Sequence, residues 1–123
     1  MIVFHLLLQT KLNCHHLRSK WVTIEGVEFK RGAGIVYAVA DDLPQILLID
    51  TIQVINGSTV VFKGSCFSTS YSRHFHCYKL HSLGKNSFFF HQHLSFHLPV
   101  HVRRPRCFPH DNVVIMPFSI INY

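Results

Sequence analysis

The side chains best suited to chemistry in this sequence are its eleven histidines and four cysteines. His74, His76 and Cys77 form one group, and residues 14–16 (CHH) form another. Imidazole and thiolate are the ligands of tetrahedral zinc sites. On a strand, however, His74 and His76 point to one face and Cys77 to the other, and no spacing matches a zinc framework. We therefore predict no metal site and interpret His74 as a packed or hydrogen-bonded structural residue near the closure of the expected barrel.

The sequence contains no convincing set of residues for covalent catalysis. A cysteine or serine nucleophile needs an adjacent base and an orienting carboxylate, yet the chain has only six acidic residues. Two of them, Asp41 and Asp42, lie in a segment bounded by Pro44. The glycines of residues 32–34 (GAG) lack the following GK[ST] that would cradle a phosphate. We predict a protein that is not an enzyme and that uses no cofactor.

Aromatic residues suggest a binding role. Trp21, Tyr37 and Tyr71 could line a pocket for a methylated lysine, because aromatic faces attract cations. The acidic side chains of Asp41 and Asp42 could close such a pocket. The candidate partner is then a protein segment. The alternative is that aromatic residues such as Tyr37 belong to the core.

The basic residues suggest a second partner. The formal net charge is +6, but residues 21–80 hold five bases and five acids, so the excess lies in the flanks. Arg103, Arg104 and Arg106 provide three arginines within four residues, kept extended by Pro105. These arginines are candidate nucleic-acid contacts, because guanidinium groups bind phosphate. The alternative is a solvated loop.

The central region determines the expected fold. Residues 21–80 form a series of short β-forming runs separated by turn signals, a pattern typical of one small β-barrel. Among the runs are Ile46–Ile49, Ile52–Ile55, Thr59–Lys63 and Phe67–Tyr71. With 48% hydrophobic residues, disorder is excluded. We expect residues 1–20 to be a lead-in segment, residues 21–80 a mostly β barrel, and residues 81–123 a poorly defined His/Phe-rich extension with late strands.

The cysteines and the N-terminal residues indicate the compartment. The four cysteines are widely spaced and form no CxxC pair, so we expect reduced thiols. Residues 2–8 (IVFHLLL) are apolar but lack the flanks of a signal peptide, and they are shorter than the ~20 residues that span a bilayer. We expect an intracellular location, the nucleus included, and no membrane partner.

Two resemblances accompany this interpretation. Residues 24–32 (IEGVEFKRG) and 42–46 (DLPQI) resemble the start of bromo-adjacent-homology (BAH) modules, which implies a small SH3-like barrel. Ala33 stands where those modules carry an aspartate. Residues 20–123 also resemble the C-terminal β module of uncharacterised, transposon-associated animal proteins of the kind found in fishes, with residues 71–80 (YSRHFHCYKL) matching that module's ending. This second resemblance implies a fold and a transposon-derived origin, and a chain that is a detached C-terminal piece.

Three functions remain open at this point. The first is a non-enzymatic binding module of a transposon-derived protein that contacts a protein segment. The second is nucleic-acid association through the basic flanks. The third is a truncated product without selected function, which the low-charge Phe/His-rich tail would fit. Salt-dependent retention on DNA or RNA separates the first two, and soluble monomeric expression counts against the third.

The strongest local signal is Asn56-Gly57, which predicts a type I′ hairpin turn between Ile52–Ile55 and Thr59–Lys63. Both central residues of that turn need a positive φ, which a β-branched side chain resists. We therefore expect Gly57→Val to lower the free energy of unfolding by roughly 1 kcal/mol or more. Chemical denaturation measures the change. An unchanged unfolding midpoint would contradict the predicted turn.

Overall fold

The protein is mostly β. The computed structural model describes residues 2–6, 16–74, 76–103 and 114–115, with side chains described for residues 18–74 and 76–103. All regular structure in these residues is strand, apart from one 3-10 turn at His91–His93. The strands are β1 (Ile2–Leu6), β2 (His16–Ile24), β3 (Val27–Lys30), β4 (Gly34–Ala40), β5 (Leu43–Ile55), β6 (Thr59–Ser72), β7 (Cys77–Phe90), β8 (Val102–Arg103) and β9 (Val114–Ile115). The predicted mostly β fold class is confirmed.

The nine strands form one antiparallel sheet in the order β1-β2-β5-β6-β7-β9-β8, with β3 paired to β2 and β4 paired to β5. The two halves of strand β2 pair with different strands. Its first half, up to Ser19, pairs with β5, and its second half, from Trp21, pairs with β3. Strands β4 to β7 follow one another as consecutive hairpins.

The predicted SH3-like or BAH-like barrel is not confirmed, because the strand order is that of an open sheet. One bridge bends this sheet back on itself. Gly34 and Val100 exchange two backbone hydrogen bonds of 3.0 and 2.8 Å. The backbones can approach this closely because Gly34 has no side chain, since a Cβ there would lie 2.9 Å from a methyl group of Val100.

The short predicted runs are parts of longer strands. Ile46–Ile49 and Ile52–Ile55 belong to the single strand β5, and Thr59–Lys63 and Phe67–Tyr71 belong to β6. A bulge replaces the expected break: Ile49 pairs with Gly64 and Thr51 with Lys63, which leaves Asp50 as the extra residue. A bulge accommodates one unpaired residue without ending the strand, so a polar residue in the run did not mark a loop.

Two tight turns connect the central hairpins. At the predicted turn, Asn56 and Gly57 have φ of 53° and 74°, and Ile55 pairs with Thr59, so this prediction is confirmed. The preceding turn has the same character, because Asp41 and Asp42 have φ of 52° and 63°.

The connection at Asp41 and Asp42 is short, because β5 already begins at Leu43. Pro44 is buried and pairs with Val39 on β4. Its carbonyl oxygen points away from β4 and accepts a hydrogen bond of 2.8 Å from the hydroxyl of Thr69 on β6. Proline fits this strand position because no ladder hydrogen bond needs its missing N–H.

Apolar side chains are buried on both faces of the sheet. Leu47 and Ile49 lie in one cluster, which we call the first core, and Ile46 lies in the second core. Adjacent residues Ile35 and Val36 are divided between the two cores in the same way. Successive strand residues point to opposite faces, so the two cores lie on opposite sides of β4 and β5. Burying each such side chain contributes about 1.5–3 kcal/mol.

The regular structure extends across the segment limits expected from the sequence. Strand β2 begins at His16, within the expected lead-in, and β7 runs without a break from Cys77 to Phe90, across residue 80. Leu94 and Val100, from the expected extension, are buried in the first and second cores respectively. The described extension therefore contributes to the same packing as the central region.

The sheet predicts a strong effect at Gly64, because a Cβ there would collide with the backbone carbonyl of Leu48 and lie 3.1 Å from the amide nitrogen of Asp50. Backbone on both sides must move, so we expect Gly64→Ala to lower the free energy of unfolding by about 3 kcal/mol. Gly57→Ala is the control: its Cβ meets nothing within 4 Å, so it carries only the positive-φ cost of about 1 kcal/mol. Urea unfolding compares the two. An equal loss would refute the steric argument.

Candidate functional site

Tyr37, one of the three residues of the predicted aromatic pocket, packs against the first core. Its ring stacks on Phe89, with ring centroids 4.4 Å apart and an interplanar angle of 16°. Burial, together with the neighbouring thiol of Cys66, raises the pKa of Tyr37 to about 12. Tyr37 is half-buried and packs against the first core, which supports the alternative that it is a core residue.

The other two predicted pocket residues lie elsewhere. Tyr71 is 44% exposed, and its ring makes an edge-on contact with Tyr78 of the second core at 5.1 Å. Trp21 lines a groove beside β3. Each of the three rings therefore has its own neighbours, and the structure does not join Trp21, Tyr37 and Tyr71 into one pocket.

The outer edge of β4 is open at Val39, whose side chain is 68% exposed. The bridge to Val100 is made at Gly34, and no other described residue pairs with this edge. Antiparallel pairs alternate between hydrogen-bonded and non-hydrogen-bonded. Pro44 has no N–H, so its pair with Val39 is non-hydrogen-bonded. The N–H and carbonyl groups of Val39 therefore face away from the sheet, next to the exposed acidic turn of Asp41 and Asp42.

The predicted basic tail is described only in part. Arg103 is exposed on β8, where it pairs with Val114. Arg104 and Arg106 lie outside the described residues.

The histidines of the 3-10 turn have a packing role. The ring of His91 makes edge-on contacts with Phe29 at 5.4 Å and with Phe62 at 6.3 Å, both of which are fully buried. His97 lies 5.0 Å from the same ring. Burial, with the added effect of His97, lowers the pKa of His91. Within the residues whose side chains are described, no three histidine, cysteine or acidic groups come together as metal ligands would.

A basic groove of about 580 Å³ is the most chemically distinctive site. Its cations are Lys20, Lys30 and Arg31, and its aromatic wall is Trp21. The β2–β3 hairpin brings them together, because Trp21 pairs with Lys30 and the N–H of Arg31 donates a hydrogen bond of 3.2 Å to the carbonyl of Lys20. Like charges on facing strand positions repel each other, so this arrangement favours an anion between them.

A smaller cavity of about 200 Å³ adjoins the groove through Arg31 and Asp50, which line both. Arg18 and Ser19 complete its wall, with Thr51. Ser19 is 1% exposed, and its hydroxyl oxygen is buried without a hydrogen-bond partner among the described residues. An unpaired buried hydroxyl costs about 1–3 kcal/mol, so the Ser19 hydroxyl lowers the stability of the fold at this position.

Sequence reasoning missed this groove because its residues belong to different segments of the chain. Lys20 belongs to the segment expected as a lead-in, whereas Lys30 and Arg31 belong to the region expected as a barrel. Asp50 seemed to interrupt two strands, whereas it forms the bulge that borders the groove. The available signal was the turn at Glu25-Gly26, since a hairpin centred there places residue 20 opposite residue 31.

The described residues contain no helix long and apolar enough to cross a membrane. Comparison of the chain with protein-family models, curated proteins and solved structures gave no match.

The packing of His91 predicts a pH-dependent stability. Its pKa is lowered from 6.5 in the folded state, so the unfolded chain takes up the proton first as the pH falls below 6.5, and the folded state loses stability. His91→Phe keeps a ring against Phe29 and Phe62 but cannot titrate. We expect its free energy of unfolding to fall less on acidification than that of the wild type. His93→Phe, at an exposed position, is the control, and equal acid sensitivity of His91→Phe and wild type would contradict the prediction.

Proposed function

We propose that this chain is a non-enzymatic binding module of a transposon-derived, intracellular protein, and that it binds an extended protein segment along the outer edge of β4. The observation that supports this proposal is the outward direction of the backbone groups of Val39. A strand edge with free N–H and carbonyl groups pairs with an added strand, and main-chain hydrogen bonds then supply the affinity.

The neighbouring side chains suggest which segment would fit. Among the exposed large apolar side chains of the described residues, Val39 has the highest exposed fraction. It offers a contact for an apolar side chain of the segment. Asp41 and Asp42 are exposed at the end of the same edge, and two carboxylates there favour a lysine or arginine. The proposed ligand is therefore a β-forming segment with a basic residue at one end. Tyr71, exposed on β6, remains a candidate for contacting that residue through its ring.

Nucleic-acid association through the basic tail stands as the second candidate. Its support is that Arg103 is exposed on β8, where a guanidinium group can reach phosphate. A truncated product without selected function is the third alternative. It is opposed by the extent of the packing, since two buried cores and a continuous sheet are expected of a chain that folds cooperatively.

The edge proposal predicts that Val39→Pro abolishes peptide binding while the fold is retained. Proline removes only an outward-facing N–H at this position, and no ladder hydrogen bond of β4 is lost. Val39→Thr keeps the N–H and the β-branched shape, and serves as the control. The probe is a library of random peptides displayed on phage, selected on immobilised wild-type protein. We expect enriched peptides to be β-forming with a terminal base and to bind Val39→Thr but not Val39→Pro.

Equal binding to Val39→Pro would refute the edge site, as would enrichment of acidic peptides. Hydrogen-exchange protection of the β5 and β6 amides checks that Val39→Pro retains the sheet.

A further inference from the structure

We infer that the basic groove beside β2 and β3, together with the cavity at Ser19, is a phosphate-binding site for single-stranded nucleic acid. This site is lined by residues of β2, β3 and β5 and by the turn after β3, whereas the proposed peptide site lies along the β4 edge. It combines cations for phosphate groups with an aromatic wall for a base.

The cations are fixed by backbone geometry. Lys20 is the extra residue of a bulge in β2, because His5 pairs with Trp21 and Leu6 with Ser19. Asp50 is the extra residue of the bulge in β5. Bulges redirect side chains and are frequent beside functional sites. Here both bulged residues line the same groove, so the irregular positions of two strands meet at one place.

The charge of the site selects an anion. Four bases line the groove and the adjoining cavity, against the single carboxylate of Asp50. Arginine is suited to phosphate because its planar guanidinium donates two parallel hydrogen bonds. Arg18 and Arg31 both line the cavity that contains Ser19.

The aromatic wall favours a single strand over a duplex. Trp21 lines the groove together with Lys20, its neighbour in the chain, and Lys30, its pairing partner on β3. A base that is not already stacked can place its face on an indole, while phosphates on either side meet the cations. In a duplex the bases are stacked on one another, so only the phosphate contacts would remain.

Trp21 is the only tryptophan of the chain, so its fluorescence reports occupancy of the groove. The titrants are a single-stranded oligothymidylate, a duplex of equal length, and inorganic phosphate. We expect saturable quenching by the single strand that weakens with salt. Inorganic phosphate should compete for the site only at a much higher concentration, and the duplex should bind more weakly with little quenching. No quenching by the single strand at low salt, or equal quenching by free phosphate at equal concentration, overturns the proposal.

Charge variants test the location. Arg31→Gln should weaken single-strand binding about tenfold at low salt and reduce the salt slope by about 0.7 for the phosphate contact it removes. Arg73→Gln makes the same change at an exposed position that follows β6, and should leave binding unchanged. Equal losses would show non-specific attraction and overturn the site. A triple alanine variant of Arg103, Arg104 and Arg106 tests the tail, and loss of binding in this variant alone also overturns the groove.

One further variant tests the sign of the charge that the groove selects. Asp50→Asn removes the opposing carboxylate and should tighten single-strand binding about threefold. Weaker binding would mean that the groove selects a cationic group instead.

Discussion

The close approach of Gly64 to the backbone of Leu48 is the contact on which the rest of the sheet depends. It exists because Asp50 is inserted into β5, which forces the two long strands to bend together. On one side of the bend β5 pairs with β4, and on the other it pairs with β2. Strands β2 and β4 are both antiparallel to β5 and share its second edge, and the bulge lies between the two stretches of pairing.

The bend also explains why one sheet can bury side chains on both of its faces. Strand β5 places Leu47 in the first core and Ile46 in the second. A run buried on both sides contains few polar residues, which is why the central sequence is rich in isoleucine, leucine and valine. The low charged fraction of 15% follows from this architecture, since much of the chain faces other protein atoms.

Local chemistry was predictable from the sequence, and long-range placement was not. Asn56-Gly57 identified its turn because the required φ values are a property of two adjacent residues. The bulge at Asp50 has no such local signature, because a polar residue in an apolar run indicates a loop equally well. The basic groove requires Lys20 to meet Arg31, and that meeting depends on a hairpin register and on a neighbouring strand. Trp21 was selected as a binding residue for its ring, yet its cationic neighbours could be found only in three dimensions.

The bridge between Gly34 and Val100 has a consequence for the order in which the molecule assembles. The hairpins from β4 to β7 join residues that are near in sequence, so they can form early and independently. The bridge joins Gly34, at the start of that series, to Val100, which follows its end. Among the described backbone hydrogen bonds outside the strand ladders, it closes the longest loop. Loop closure of this kind costs chain entropy that is recovered only when Val100 packs into the second core. Residues 91–103 are therefore held in place by the completed meander, and the topology favours their docking after the hairpins have formed.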